Sequence, residues 1–211
     1  MQEAVDFIKS RQPVNLAIVL TNIIVFIVLS IIGNTEDGYF MVMHGADYAP
    51  YVAENGQYYR LITCMFMHFG IRHLFNNMLV LIFLGDDLER LAGKLRFLII
   101  YFGGGLIGNM VSVAYDMRTG DYSISAGASG AIFAVIGALV AVVILNKGKV
   151  PAYTRRRMFL MASLSVLQGL TATGVDNCAH IGGMASGFIL AMLFHRKFIF
   201  EERIPVEDFR E

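Results

Sequence analysis

Four side chains in this 211-residue sequence have the types and spacing that acyl transfer needs. Ser129 stands in SAGASGAIF (125–133), His180 in CAHIGGMASG (178–187), and His73 and Asn77 in MHFGIRHLFNNM (67–78). A serine hydroxyl becomes a nucleophile only when a base takes its proton. His180 is the candidate base, because a neutral imidazole can accept that proton and return it to a leaving amine. His73 and Asn77 are four apart, so a helix puts them on one face. There a ring N–H and an amide N–H can converge on an oxyanion. Each piece also has a plainer reading. Gly127, Ser129 and Gly130 suit close helix packing, and His180, His73 and Asn77 can be hydrogen-bonding groups inside a helical bundle. His68, five residues before His73, can brace the same end.

The elements that must position these groups are apolar. The chain is 56% hydrophobic and 16% charged, with a mean hydropathy of +0.59. That is too apolar for a single soluble core, which still has to cover its surface with polar groups. Seventeen basic and seventeen acidic residues balance to a net charge of zero, which argues against a polyanion partner. Six apolar segments emerge, at 14–32, 74–85, 97–114, 126–145, 158–170 and 179–194. Several are shorter than the ~20 residues of an ordinary span. Polar breaks such as GDDLERLAGKLR and NKGKVPAYTRRR separate them, and the two cysteines, Cys64 and Cys178, make no disulfide framework.

Lysine and arginine gather at alternate breaks: Lys9 and Arg11, then Arg90, Lys94 and Arg96, then Lys147 to Arg157, then Arg196 and Lys197. The positive-inside tendency therefore predicts that both termini are cytoplasmic. The second, fourth and sixth segments then enter from the outer face, placing His73, Ser129 and His180 at a similar shallow depth. Gly183 and Gly187, with Ala179 and Ala191, form an i, i+4 small-residue stripe that turns this face of the sixth segment, His180 included, toward a neighbouring helix. Asp176, four before His180, is expected in the outer loop, in water.

Together GASG, HLFNN and AHIGG resemble the rhomboid family of intramembrane serine proteases, over nearly the whole chain. The resemblance implies an all-α membrane protein, a six-transmembrane-helix bundle of the basic bacterial-type form. Its domain is expected over 13–196, with cytoplasmic tails at 1–12 and 197–211. It implies that Ser129 is the nucleophile and His180 the base of a Ser–His dyad. Asn77 and His73, with Ser129 itself, would form the oxyanion hole, and Phe133, Gly127, Gly130, Gly183 and Gly187 would support the site. Phe133 stands where the family often has a tyrosine stacked on the histidine. Tyr59 and Arg60 stand where it commonly has Trp-Arg in the first loop.

The implied activity is cleavage of single-span membrane-protein substrates near the outer face of the plasma (inner) membrane, within the lipid bilayer. The first loop, roughly Asn34 to Tyr59, would embed beside the bundle, and YDMRTGDYSIS (115–125) would be a mobile cap. No cofactor, metal or nucleic acid is expected. Two other readings remain: a non-catalytic rhomboid-like protein that binds membrane clients, and a transporter with polar residues along a pathway. The second fits less well with segments that turn apolar below the site, as in AIFAVIGALVAVVIL (131–145).

Overall fold

The computed structural model describes residues 11–146, 150, 152–171 and 174–194. The expected C-terminal tail lies outside these residues, as do most of the N-terminal one and Lys9, Lys147, Lys149, Arg196 and Lys197. Six long helices coincide with the six apolar segments: α1 (Pro13–Ile32), α5 (Gly70–Ala92), α6 (Lys94–Thr119), α7 (Ser129–Leu145), α8 (Ala152–Thr171) and α9 (Asn177–Phe194). Between α1 and α5 lie α2 (Gly38–Met43), β1 (Asp47–Tyr48), α3 (Ala49–Ala53) and α4 (Arg60–Phe66). Strand β2 (Ile124–Ser125) precedes α7.

By length and composition α1, α6 and α9 can cross a membrane, and α4 with α5 can act as one broken span bent by 91°. At 17 residues α7 is shorter, yet its residues from Gly130 to Leu139 are all buried within the protein. It is the central helix. Around it, large apolar side chains such as Ile24 and Ile31 of α1, Phe159 of α8 and Leu193 of α9 are exposed. An apolar exterior around an equally apolar interior fits a lipid solvent.

Backbone-to-backbone contact holds α7 in place. A Cβ on Gly183 would overlap the carbonyl of Gly130, one on Gly187 that of Ala134, and one on Gly137 that of Met184 across the interface. On its other side Ala134 lies against Gly104 of α6, and Gly108 of α6 lies against Ala179 and Gly183 of α9. With no side chain between them, the three helices approach far more closely than larger residues permit.

At the end of the bundle away from Ser129, buried acids anchor α1. The N–H of Gln12 donates to Asp86, while those of Val14 and Asn15 donate to Glu89. Anions at a helix start satisfy donors that have no intrahelical acceptor and complement the helix dipole. Pro13, at the first turn, gives up no needed bond. Asn15 also donates its side-chain amide to the Leu81 carbonyl at 3.0 Å, where α5 widens into a π-helical stretch at Leu81–Gly85. A polar side chain inserted at the helix ladder is a recognised cause of such a widening. Arg157 of α8 pairs with Asp87.

At the opposite end the long first loop is built rather than open. Asp37 caps α2 by accepting from the Phe40 N–H, and Arg60 donates to the carbonyls of Val42 and Ala46. Strand β1 pairs antiparallel with β2, aligning Asp47 with Ser125 and Tyr48 with Ile124. The segment expected as a mobile cap is therefore different in form. Residues 115–119 finish α6, and Ser123 is tied to Asp116 through its N–H and its hydroxyl. What remains as a cap is a short strand paired to the first loop.

Asp47 is buried, and among the described residues neither carboxylate oxygen has a partner in hydrogen-bond geometry. Burial first, then repulsion from Asp176 and Asp116, raises its pKa from 3.8 to about 7, against an opposing pull from Arg60. The folded state thus holds a proton that the unfolded chain releases near pH 3.8. This contribution to stability is complete below that value and is lost as pH rises toward 7.

Two measurements test this packing and this burial. Gly187→Leu should destabilise the fold by about 2 kcal/mol or more, as overpacking does. Gly103→Ala, whose Cβ would meet only Leu190 at 3.7 Å, should leave the thermal midpoint in detergent nearly unchanged. Asp47→Asn should flatten the fall in thermal stability between about pH 4 and 7; an unaltered slope would mean that another group causes it.

Candidate active site

The N-terminus of α7 is where the sequence motifs meet. Ser129 is the first residue of that helix, after Ala128, so its own N–H has no acceptor within the helix. A cavity of about 980 Å³ lies against it, lined by Ser129, His180, His73, Asn77 and Phe133. All four candidate chemical groups, from α5, α7 and α9, thus border one space. Ser129 is half-buried, and His180 and Asn77 are buried.

The histidine is held by its neighbours' shapes. Phe133, one turn after Ser129, stacks flat on the His180 ring, with centroids 4.1 Å apart and planes inclined by 8°. The Nδ1 edge of the imidazole faces Gly169 of α8, where a Cβ would come within 3.2 Å. That Nδ1 is buried without a hydrogen-bond partner among the described residues. The contact of Gly183 with Gly130 fixes α9 against α7 one turn below.

Opposite Ser129, His73 and Asn77 frame Gly127. A Cβ there would fall 2.8 Å from His73 Cε1, 2.9 Å from Nε2 and 3.6 Å from Asn77 Nδ2. Gly127 also has a φ of +137°, a conformation that side chains oppose. Glycine is therefore required at 127 for both space and backbone. The Asn77 amide nitrogen is buried with no hydrogen-bond partner among the described residues, in the lining of the cavity that Ser129 borders. An unpaired buried donor is costly, and such groups concentrate where a ligand supplies the missing bond.

The loop leading into Ser129 is fastened from below by residues that the motifs did not single out. The Gly127 N–H donates to the Cys64 carbonyl at 2.9 Å, and the Ala128 N–H donates to His68 Nε2 at 3.4 Å. His68 is fully buried and meets His73 edge to face at 5.1 Å. It does brace this end, through the serine loop. Asn109 of α6 donates to the Leu61 carbonyl and approaches Cys64 Sγ, completing the support. Asn109, a lone polar residue inside the apolar run 97–114, is the kind of signal that marks such a position in sequence. Gly70, at φ +70°, makes the turn from α4 into α5. Cys64 and Cys178 are both free thiols.

Asp176 does lie in the loop before α9, as the sequence suggests, but it is not simply bathed in water. It is half-buried, borders the cavity and accepts bonds from Ser112, Ser125 and the Ala179 N–H. The reason is tertiary: α6 and β2 bring hydroxyls to it that lie 64 and 51 residues away in sequence. Tyr59 and Arg60 stay in the first loop. The Arg60 guanidinium lies 5.5 Å from the Tyr59 ring centroid and 5.1 Å from that of Tyr51, and it holds loop carbonyls rather than bordering the cavity.

The family model for the rhomboid domain matches residues 55–197. The chain is 32% identical over 189 residues to Rhomboid protease GluP of Bacillus subtilis (strain 168), covering 90% of this chain and 36% of that protein. It is 35% identical over 144 residues to the putative rhomboid protease YdcA of the same organism, covering 68% of this chain and 70% of that one. RHOMBOID-like protein 2 of Arabidopsis thaliana is 38% identical over 146 residues, covering 67% and 44%. The chain thus spans little more than a third of GluP. A match across 55–197, more than half of the chain, shows that this integral membrane protein belongs to the rhomboid family.

Proposed function

We propose that the chain is an intramembrane serine endopeptidase using a Ser129–His180 dyad. The observation that carries this reading is that Ser129, at a helix N-terminus, shares one cavity with His180 and with the unpartnered Asn77 amide. In the proposed reaction, Ser129 Oγ attacks the scissile carbonyl while His180 removes its proton. With Nδ1 turned to α8, Nε2 is the nitrogen left for this step. Phe133 holds the ring in plane. The tetrahedral oxyanion takes the Ser129 N–H, Asn77 Nδ2 and an N–H of His73. His180 then passes its proton to the leaving amine, and water that enters the cavity hydrolyses the acyl-enzyme with the same groups.

The substrates are single-span membrane proteins cut near the outer face of the plasma membrane. Six helices, α1 and α5 to α9, form the spans, with both termini cytoplasmic and the functional domain over 13–196. This topology is supported by the clustering of lysine and arginine at alternate breaks. It is also supported by the exposed apolar faces. The resemblance of the relatives named as proteases supports the reaction type.

Purified protein in detergent should cleave a single-span reporter and bind a fluorophosphonate probe. Ser129→Ala and His180→Ala should abolish cleavage, and Ser129→Ala should abolish labelling. Cleavage that survives Ser129→Ala overturns the dyad, and binding of the reporter without any cleavage by the wild type favours a client-binding role. Asn77→Ala should fold normally and lower turnover by about 10²–10³, the usual effect of losing one oxyanion donor. An unchanged rate removes Asn77 from that role.

A further inference from the structure

Asp176 joins both halves of the candidate dyad through one carboxylate. Its Oδ1 accepts the Ala179 N–H at 2.8 Å, capping α9 at the residue before His180. Its backbone carbonyl accepts the N–H of His180 at 3.2 Å. Its Oδ2 accepts the Ser125 hydroxyl at 2.8 Å, four residues before Ser129. The same oxygen accepts the Ser112 hydroxyl of α6 at 2.6 Å. Ser112 is one turn beyond Gly108, which packs directly on Ala179 and Gly183. One side chain thereby links the helix carrying the base, the strand leading into the nucleophile and the helix against which α9 packs.

We propose that Asp176 is a positioning residue that fixes His180 relative to Ser129. The inference rests on the dyad reading above. Three physical terms favour it. An anion at a helix N-terminus satisfies free N–H groups and the dipole, which keeps the first turn of α9, with His180, from fraying. Hydrogen bonds to a carboxylate are stronger than neutral ones, so the Ser125 bond resists the lifting of β2. The small-residue contacts between α7 and α9 begin at Gly130, which meets Ala179 and Gly183. Above them, the loop from Ser125 to Ala128 depends on hydrogen bonds for its place: Ser125 to Asp176, Gly127 to Cys64 and Ala128 to His68. Among these, the Asp176 bond is the one that reaches the element bearing the base.

The test uses the full chain in proteoliposomes, with three readouts: kcat and KM for a single-span reporter, the rate of fluorophosphonate labelling, and the thermal midpoint. Asp176→Ala should lower kcat by about tenfold or more, the scale expected when reacting groups shift by a fraction of an ångström. Labelling should slow in parallel while KM stays within about twofold, as for an interaction that matters mainly in the transition state. Asp176→Asn keeps an acceptor for Ala179 and an amide for the serine hydroxyls, and should recover most of the rate. A wild-type kcat in Asp176→Ala, or a loss carried wholly by KM, overturns the proposal. Should Asp176→Ala not fold, Ser125→Ala decides: a lower kcat at an unchanged thermal midpoint supports it, and a wild-type kcat overturns it. Wild-type protein that neither cleaves nor labels would instead sink the dyad itself.

Discussion

The close approach of α7 to α9 is the constraint on which the rest of this structure depends. Gly183 meets Gly130 and Gly187 meets Ala134 with no room for a Cβ. In a lipid solvent there is little hydrophobic gain from bringing two apolar helices together, so dense packing of small residues has to supply the association. That contact sets the level at which Ser129 and His180 stand. Gly104 and Gly108 extend it to α6, so three helices form a rigid centre and α1, α5 and α8 pack around it. Phe133 then needs only a flat ring beside it to stack with His180.

Above this dry centre the organising force changes from packing to hydrogen bonding. The polypeptide before Ser129 has no helix to order it, and Gly127 takes a backbone conformation that favours no other residue. Its order comes from Cys64, His68, Asp176 and the β1–β2 pair. A polar, bonded rim around the cavity suits the proposed hydrolysis, which needs water at Ser129. Asp47, enclosed beside Asp116 and Asp176 with Arg60 as counter-charge, shows how tightly this rim is closed on the loop side. The opposite end of the bundle uses a separate device, with the acids of α5 holding the start of α1.

Much of this was legible in the residues. The six apolar runs each hold a long helix, although α5 and α6 extend beyond their apolar limits because capping and ion pairing continue them into charged sequence. The grouping of Ser129, His180, His73 and Asn77 followed from motif spacing and charge asymmetry, and one cavity touches all four. Asp176 sits in the expected loop, but its partners were not legible, because nothing local to TGVDN reveals that Ser112 and Ser125 arrive from 64 and 51 residues away. The strand within the segment expected as a cap was hidden for the same reason: a two-residue strand has no periodicity of its own, and its partner lies in the first loop.

The sequence alone determined the apolar helices, the small-residue stripe and which side chains are candidates for the chemistry. These are properties of composition and of short-range spacing along one helix. Only the tertiary structure decided which polar side chains pair across the rim, where the imidazole is stacked and which donor is left without a partner. Those outcomes depend on how helices distant in sequence are rotated and offset against one another. Such offsets are fixed by contacts of a few ångströms between residues such as Gly130 and Gly183, and no local pattern encodes them.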